Sequence, residues 1–288
     1  MDKHNKNLSR RKFIKWSSGA VAAASFGGYM GCSPAGTDRG IPLGVQLYSV
    51  RHELAEDFEG TIARLAAMGF DGVEFAEFFG MAATEVKAIL DEYGLRCCGN
   101  HIYFNALRGD EFEETVTFNQ ELGNENFIIR FIPEQERSSR DTFLRTIDEY
   151  NEVVERLDSH GMRLGYHNHD YIFEMFGDEY LWDILALNSD DRFILQLDTG
   201  HAAGMGQDPV ELIRRHPGRT ASIHAKAHSS VEEAAVIGDD ELDWAGIMTV
   251  SEEVGGIKWY ILEYEIDGVP PLEALEDCIH NFRRIRTG

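Results

Sequence analysis

The chain has 288 residues, of which 43% are hydrophobic, and its 50 acidic and 27 basic side chains give a formal net charge of −23. This size allows one large core or two small ones. So negative a surface repels phosphate backbones, which argues against nucleic acid as a partner. No apolar run in the sequence is long enough to span a bilayer.

The first forty residues have the layout of an export signal, with a basic segment followed by a stretch rich in Ala, Gly and Ser. "SRRKFIK" resembles a twin-arginine signal. "YMGC" resembles a lipoprotein cleavage box, although Tyr29 stands where Leu is usual. We therefore expect a signal peptide over residues 1–31, a lipidated Cys32 and a tether over residues 32–40. The alternative is a basic N-terminus of a cytosolic protein.

From residue 41 onward, short apolar runs alternate with amphipathic helical patterns. The predicted strands, in chain order, are "PLGVQLYS", "GVEFAEF", "LRCCGNHI", "NFIIRFI", "MRLGYHNH", "FILQLD", "TASIHAKAH" and "KWYILEYE". A helix is predicted after each strand. The clearest places apolar residues on one face between Phe143 and Leu157 and ends at Gly161. Asp208 and Pro209 provide the N-cap and first turn of another.

Eight strand–helix units in about 250 residues match the size of a TIM barrel. The fold class is therefore α/β, with a single (β/α)8 barrel over residues 41–288. An open doubly wound sheet is the structural alternative, but it usually carries a glycine-rich loop after its first strand. The segment "LYSVRHELAED" has no such loop.

Three cysteines follow the predicted signal, at positions 97, 98 and 278. Adjacent side chains on a strand point to opposite faces, so Cys97 and Cys98 are poorly placed to bond to each other. The sequence therefore predicts buried thiols rather than a disulfide framework.

Ionisable residues stand at the ends of six predicted strands, where a TIM barrel forms its active site. They are Glu74, His101, His167, His169, Asp198, His201, His224, Lys226, Glu263 and Glu265. Carboxylates that converge there repel each other, and a bound cation relieves the repulsion. Nitrogen and oxygen ligands without thiolate favour one divalent ion, Mn²⁺ first and otherwise Zn²⁺, Co²⁺ or Fe²⁺, over Ca²⁺. Salt bridges among these residues are the alternative.

Four motifs in order, "LDTGHAAG", "SIHAK", "VIGDDELDW" and "WYILEYE", resemble those of the xylose-isomerase-like TIM barrels. The resemblance covers residues 41–288. The family includes sugar and sugar-phosphate isomerases and epimerases, inosose dehydratases and metal-dependent apurinic endonucleases. The nuclease branch needs an Asp-x-His before the "IG" turn, which "SSVEEAAVIG" lacks.

The resemblance implies a metal held by strands five to eight, with Asp198, His224 and Glu263 as three of the ligands. His167 occupies the fifth-strand position, where epimerases have Glu. Histidine-rich fifth strands resemble those of inosose-dehydratase-like members, which eliminate water from a keto-polyol. The family's "HxKD" is "HAKA" here, so Lys226 is kept and the acid is lost.

The expected chemistry is removal of a proton next to the carbonyl of a keto-sugar, with the metal stabilising an enediolate. Glu263 is expected to be both ligand and base, and His169 or His101 to move a second proton. Lys226 is expected to stabilise an oxyanion or protonate a departing hydroxyl. Glu74, His201 and Glu265 are expected to contact the substrate.

Several of these residues have structural alternatives. His101 could orient a metal ligand, Glu74 could pair with Lys226, and His201 could only cap its turn.

Isomerisation or epimerisation is the reaction that the family implies first. Dehydration or hydration is the alternative that His167 supports, and a sugar-binding lipoprotein is the non-enzymatic one. The expected partner is a small carbohydrate, with membrane contact only through the N-terminal lipid. The protein is expected to be exported, periplasmic or lipid-anchored, and a homo-oligomer is left open.

Overall fold

The computed structural model describes residues 40–232, 234–266 and 268–288. The predicted signal peptide, the lipidation site and all but the last residue of the tether lie outside the described residues. Residues 40–288 form one compact unit.

Eight parallel strands close into a barrel, in which each strand pairs with its neighbours in the chain and the last pairs with the first. The predicted (β/α)8 fold is confirmed. The strands are β1 (Leu43–Gln46), β2 (Gly72–Phe75), β3 (Arg96–Ile102), β4 (Asn126–Ile129), β5 (Arg163–His167), β6 (Ile194–Asp198), β7 (Ser222–Ala225) and β8 (Trp259–Leu262).

Ten α-helices connect and surround the described strands. They are α1 (Arg51–Glu56), α2 (Phe58–Met68), α3 (Ala83–Tyr93), α4 (Phe112–Leu122), α5 (Arg140–Asp158), α6 (Leu181–Asn188), α7 (Thr199–Gly204), α8 (Pro209–Arg215), α9 (Trp244–Val250) and α10 (Pro271–Thr287). Within the described ranges, no helix is both long and apolar enough to cross a membrane.

Local sequence sets the helix boundaries. Asp208 caps α8 by accepting a hydrogen bond from the Val210 amide, and Pro209 occupies its first turn, as predicted. Helix α2 ends where Gly69 adopts a φ of 94°, a left-handed conformation that favours glycine.

A short strand pair and helix α7 are among the elements that the sequence did not predict. A short antiparallel pair, Met175–Phe176 with Glu179–Tyr180, precedes α6. Helix α7 begins directly after β6, in the segment that the sequence analysis treats as a turn at His201. The helix forms because the Asp198 carboxylate accepts a hydrogen bond from the His201 amide and caps it.

The lower part of the barrel interior is apolar. Phe127 and Ile129 of β4 belong to the main core, whereas Ile128 between them packs in a separate cluster with Ile194 and Ala221. Because side chains alternate along a strand, this small cluster faces the barrel axis. Polar residues of the same strands therefore enter the barrel nearer its carboxyl end.

The three cysteines of the described region are unpaired, as predicted. Cys98 and Cys278 are buried, and Cys97 is half-buried. Burial raises the pKa of each thiol above its ordinary value.

Candidate active site

Four buried side chains meet inside the carboxyl end of the barrel. His167 ends β5, Asp198 ends β6, His224 lies on β7 and Glu263 directly follows β8. Each offers one ligand atom, and these atoms all lie within 4.8 Å of one another. They are the four residues that the sequence nominated as metal ligands.

Asp198 has one carboxylate oxygen without a partner. Its Oδ1 accepts the His201 amide at 2.7 Å, whereas Oδ2 is buried and has no hydrogen-bond partner among the described residues. Burial raises the pKa of Asp198 to about 6, against the nearby charges of Lys226 and His201. A buried acceptor without a partner is costly, and a cation would supply the missing contact.

His167 also presents an unused ring atom. The residue is buried, and its Nδ1 has no partner within the described part of the chain. Burial, reinforced by the neighbouring rings of His224 and His101, holds the pKa of His167 well below its ordinary value. The ring is therefore a neutral imidazole, the form that binds metals.

His224 lies between two carboxylates. Its Nδ1 is 3.0 Å from Glu263 Oε2, and its Nε2 is 2.5 Å from Glu74 Oε2. Burial lowers the pKa of His224, but Glu74 and Glu263 outweigh it and raise the pKa to about 10. A histidine that binds a metal through one nitrogen commonly donates the other N–H to a carboxylate, and Glu74 is placed to accept it.

These donors fit a divalent ion. Two imidazoles and two carboxylates converge without a thiolate, and two of their buried polar atoms have no partner among the described residues. This set suits Mn²⁺, Zn²⁺, Co²⁺ or Fe²⁺.

Glu74 is enclosed by polar side chains. Its carboxylate accepts hydrogen bonds from Gln46 at 2.7 Å and from Gln196 at 2.8 Å, and His101 Nε2 lies 3.0 Å away. Burial opposes ionisation, but His101 and His224 outweigh it and hold the pKa of Glu74 well below its ordinary value. The residue is 0% exposed, so it has no surface for the expected contact with substrate.

Lys226 pairs with other carboxylates than Glu74, the partner that the sequence offered as an alternative. Lys226 Nζ lies 3.7 Å from Glu263 Oε2 and forms an ion pair with Glu265. Burial lowers the pKa of Lys226, but Glu263, Asp198 and Glu265 outweigh it and hold the pKa well above its ordinary value. Lys226 is therefore a charged ammonium next to the candidate base.

His101 contacts other site residues rather than open solvent. It is 8% exposed, its Nε2 lies 2.9 Å from Gln196 Oε1, and its ring stacks on His224 with centroids 5.1 Å apart. These contacts match the orienting role that the sequence offered as an alternative to proton transfer.

His169 and His201 lie on the outer side of the cluster. The His169 ring centroid is 4.9 Å from that of His167 and 5.1 Å from that of His201. Burial, with the charge of His201, lowers the pKa of His169 to about 4. The His201 side chain does not cap the turn, because its Nδ1 lies 2.8 Å from Asp170 Oδ1.

Sequence reasoning missed the polar residues that hold the acids in place. Gln46 ends β1 and Gln196 lies in the middle of β6. Their signal was one amide side chain within each apolar run, "PLGVQLYS" and "FILQLD". It also missed Arg130, which continues β4 on the same face as Ile128. Its guanidinium lies over the rings of Tyr48 and Tyr103, with 5.7 Å and 5.3 Å to the ring centroids.

Gly99 makes room for the Glu74 carboxylate. The two residues are register partners in β3 and β2, and a Cβ on Gly99 would lie 2.5 Å from Glu74 Oε1. Since the carboxylate is fixed by four neighbours, we expect Gly99→Ala to destabilise the fold by about 1–3 kcal/mol. Denaturant unfolding would measure this loss.

Gly204→Ala is the matched control for this prediction, because its Cβ would meet nothing nearer than His228 at 3.8 Å. Equal unfolding free energies for the two alanine variants would show that the space at Gly99 is not required.

Comparison with known proteins gives matches over most of the chain. The inosose dehydratase of Geobacillus kaustophilus (strain HTA426) is 24% identical over 245 residues, which cover 72% of this chain and 79% of that protein. The rhizopine catabolism protein MocC of Rhizobium meliloti is 24% identical over 245 residues, which cover 73% of this chain and 75% of that protein.

Solved structures share the fold. A sugar phosphate isomerase/epimerase from Parabacteroides distasonis ATCC 8503 superposes with a TM-score of 0.74 and is 25% identical, over 85% of this chain and 94% of that one. The family model described as "Xylose isomerase-like TIM barrel" matches residues 62–285. The chain therefore belongs to the xylose isomerase-like TIM barrel family.

Proposed function

We propose that this protein is a divalent-metal-dependent enzyme that acts on a keto-sugar or related carbohydrate. The observation that carries the proposal is the cluster of His167, Asp198, His224 and Glu263. Within the described part of the chain, two of its buried atoms, Asp198 Oδ2 and His167 Nδ1, have no hydrogen-bond partner. A sugar-binding protein without turnover would need neither a carboxylate base nor an ammonium beside it, and Glu263 and Lys226 provide both.

Some of the site residues would hold the metal ion, and others would transfer protons to or from the substrate. An ion held by the four ligands would supply a Lewis acid for the substrate carbonyl. Burial opposes ionisation of Glu263, but Lys226 and His224 hold its pKa well below the ordinary value, so the carboxylate stays ionised. Glu263 then accepts the proton next to the carbonyl, and Glu74 fixes the orientation of His224.

Elimination of water is the reaction we favour. Glu263 takes the α-proton, the C–H electron pair forms the carbon–carbon double bond, and the β-hydroxyl leaves as water with a proton from Lys226. Two features of the site favour elimination. The Lys226 ammonium lies beside the Glu263 base, where it can protonate the departing hydroxyl. His167 stands where a symmetric epimerisation would need a second carboxylate. The inosose dehydratase relative supports the same choice.

Epimerisation is the second candidate, because a similar structure is named a sugar phosphate isomerase/epimerase. In that reaction a second group must return the proton to the opposite face of the substrate. His169 is the candidate for this role, because its Nδ1 has no hydrogen-bond partner among the described residues.

Metal content tests the proposal directly. Purified wild-type protein should contain close to one divalent ion per chain, and Asp198→Asn should lose it, because the amide removes the charge of one ligand. Elemental analysis gives the stoichiometry.

Asp208→Asn is the matched control and should keep the metal. Asp208 is the N-cap of α8, and asparagine can take the same role. Wild type without a transition metal, or Asp198→Asn with full occupancy, would exclude the proposed metal centre.

We also propose that residues 1–31 direct export and that Cys32 is lipidated, which rests on "SRRKFIK" and "YMGC". Replacing Arg10 and Arg11 by Lys should leave the precursor in the cytosol, and Cys32→Ser should release the protein from the membrane fraction. Cell fractionation with immunoblotting measures both. Wild-type precursor that stays full-length in the cytosol would contradict the proposal.

A further inference from the structure

A cavity of about 420 Å³ opens beside the metal-ligand cluster, between the segments that follow β4, β5 and β6. Its volume lies within the range of small-molecule sites. None of the four candidate ligands lines it. A keto group bound at the cluster would therefore leave this outer cavity for the rest of the substrate.

His169 and His201 lie between the metal-ligand cluster and the outer cavity. Both line the cavity, and one ring nitrogen of each lies within 4.8 Å of the other and of one ring nitrogen of His167. A ligand that extends from the cluster along these rings enters the cavity directly.

An aromatic wall bounds the cavity. The Tyr171 ring is fixed from two sides, because its hydroxyl accepts the Ile132 amide at 2.9 Å and the Arg137 guanidinium lies 4.1 Å from its centroid. Phe131 packs edge-on against Tyr171, with the two ring centroids 5.6 Å apart. Phe131 and Met205 remain 41% exposed, so their apolar surface faces the cavity and solvent.

Polar groups stand at the edge of this wall. Asp170 and Glu174 line the cavity, and they pair with His201 and Arg137. An apolar face bordered by carboxylates suits a sugar ring, whose C–H face packs on aromatic rings while its hydroxyls donate to acceptors.

We propose that the substrate is a keto-sugar joined to a second sugar ring, and that Phe131, Tyr171 and Met205 bind this second ring. The proposal rests on the proposed function, because the cluster must hold the keto-sugar. Because Tyr171 is already held in place, binding the second ring costs little side-chain conformational entropy. The second ring therefore increases the affinity of the protein for the substrate.

Isothermal titration of metal-loaded full-length protein tests the subsite without requiring turnover. The probes are D-fructose and fructose with a pyranose on O4 or O6 (lactulose and isomaltulose). We expect at least one two-ring probe to bind at least about tenfold more tightly than fructose. Equal or weaker binding of both two-ring probes would overturn the proposal.

Met205→Trp tests the location, because the larger side chain fills the outer cavity. It should lower the preference for two rings over one at least about tenfold. Leu187→Trp, at a position that is 71% exposed on α6 and does not line the cavity, should leave the preference unchanged. Unchanged preference in Met205→Trp would overturn the assignment.

Proton exchange in D₂O separates this inference from the proposed function. Exchange of fructose without any two-ring preference in binding would refute the subsite alone. Two-ring preference without exchange of any probe would refute the proposed activity and leave the subsite standing.

Discussion

Replacing Glu263 by Gln should abolish exchange of the proton next to the substrate carbonyl, with a loss of about 10²–10⁴-fold. The carboxylate is ionised because Lys226 and His224 stabilise its charge, whereas the amide cannot accept the proton. Proton NMR of a keto-sugar in D₂O, with metal-loaded protein, follows the exchange at the α-carbon.

The same variant must be checked for metal, since Glu263 is also a candidate ligand. Elemental analysis separates loss of the base from loss of the ion. Glu273→Gln, an exposed carboxylate in the first turn of α10, is the control and should exchange at the wild-type rate. Exchange at that rate in fully metal-loaded Glu263→Gln would exclude Glu263 as the base.

The convergence of the four candidate ligands was predictable from the sequence. Each stands at the carboxyl end of a predicted strand, and parallel strands closed into a barrel bring those ends to one edge. Alternation along the strands then decides which residues face the axis. Two general rules of β structure were sufficient, and the observed cluster follows them.

The environment of Glu74 was not predictable in the same way. Its partners Gln46 and Gln196 lie 28 and 122 residues away in the chain, and only closure of the barrel places them around it. At sequence level, Glu74 was one more acid at a strand end, with nothing to distinguish an enclosed carboxylate from an exposed one.

Helix α7 was missed although its signal is local. "LDTGHAAG" contains an Asp that can cap a helix three residues before a backbone amide, which the structure uses at 2.7 Å. Its six residues and two glycines made a turn the simpler interpretation. A single carboxylate therefore caps the helix with one oxygen and offers the other to the cluster.

Lys226→Met should block loss of water from a keto-sugar while sparing exchange of its α-proton. The ammonium is the proposed acid for the departing hydroxyl, and methionine keeps most of the side-chain volume but cannot donate a proton. We expect elimination to fall by about 10²-fold or more. Proton NMR measures both reactions in one sample, as deuterium entry at the α-carbon and as formation of the unsaturated product.

The outcome separates the two candidate reactions, because epimerisation needs no acid for a leaving hydroxyl. Lys258→Met, at an exposed position before β8, is the matched control and should retain both exchange and elimination. Rapid epimerisation by the wild type, with no dehydrated product, would show that His167 does not direct the site towards elimination. Loss of exchange and elimination together in Lys226→Met would instead assign Lys226 to holding Glu263 ionised, since the ammonium lies 3.7 Å from that carboxylate.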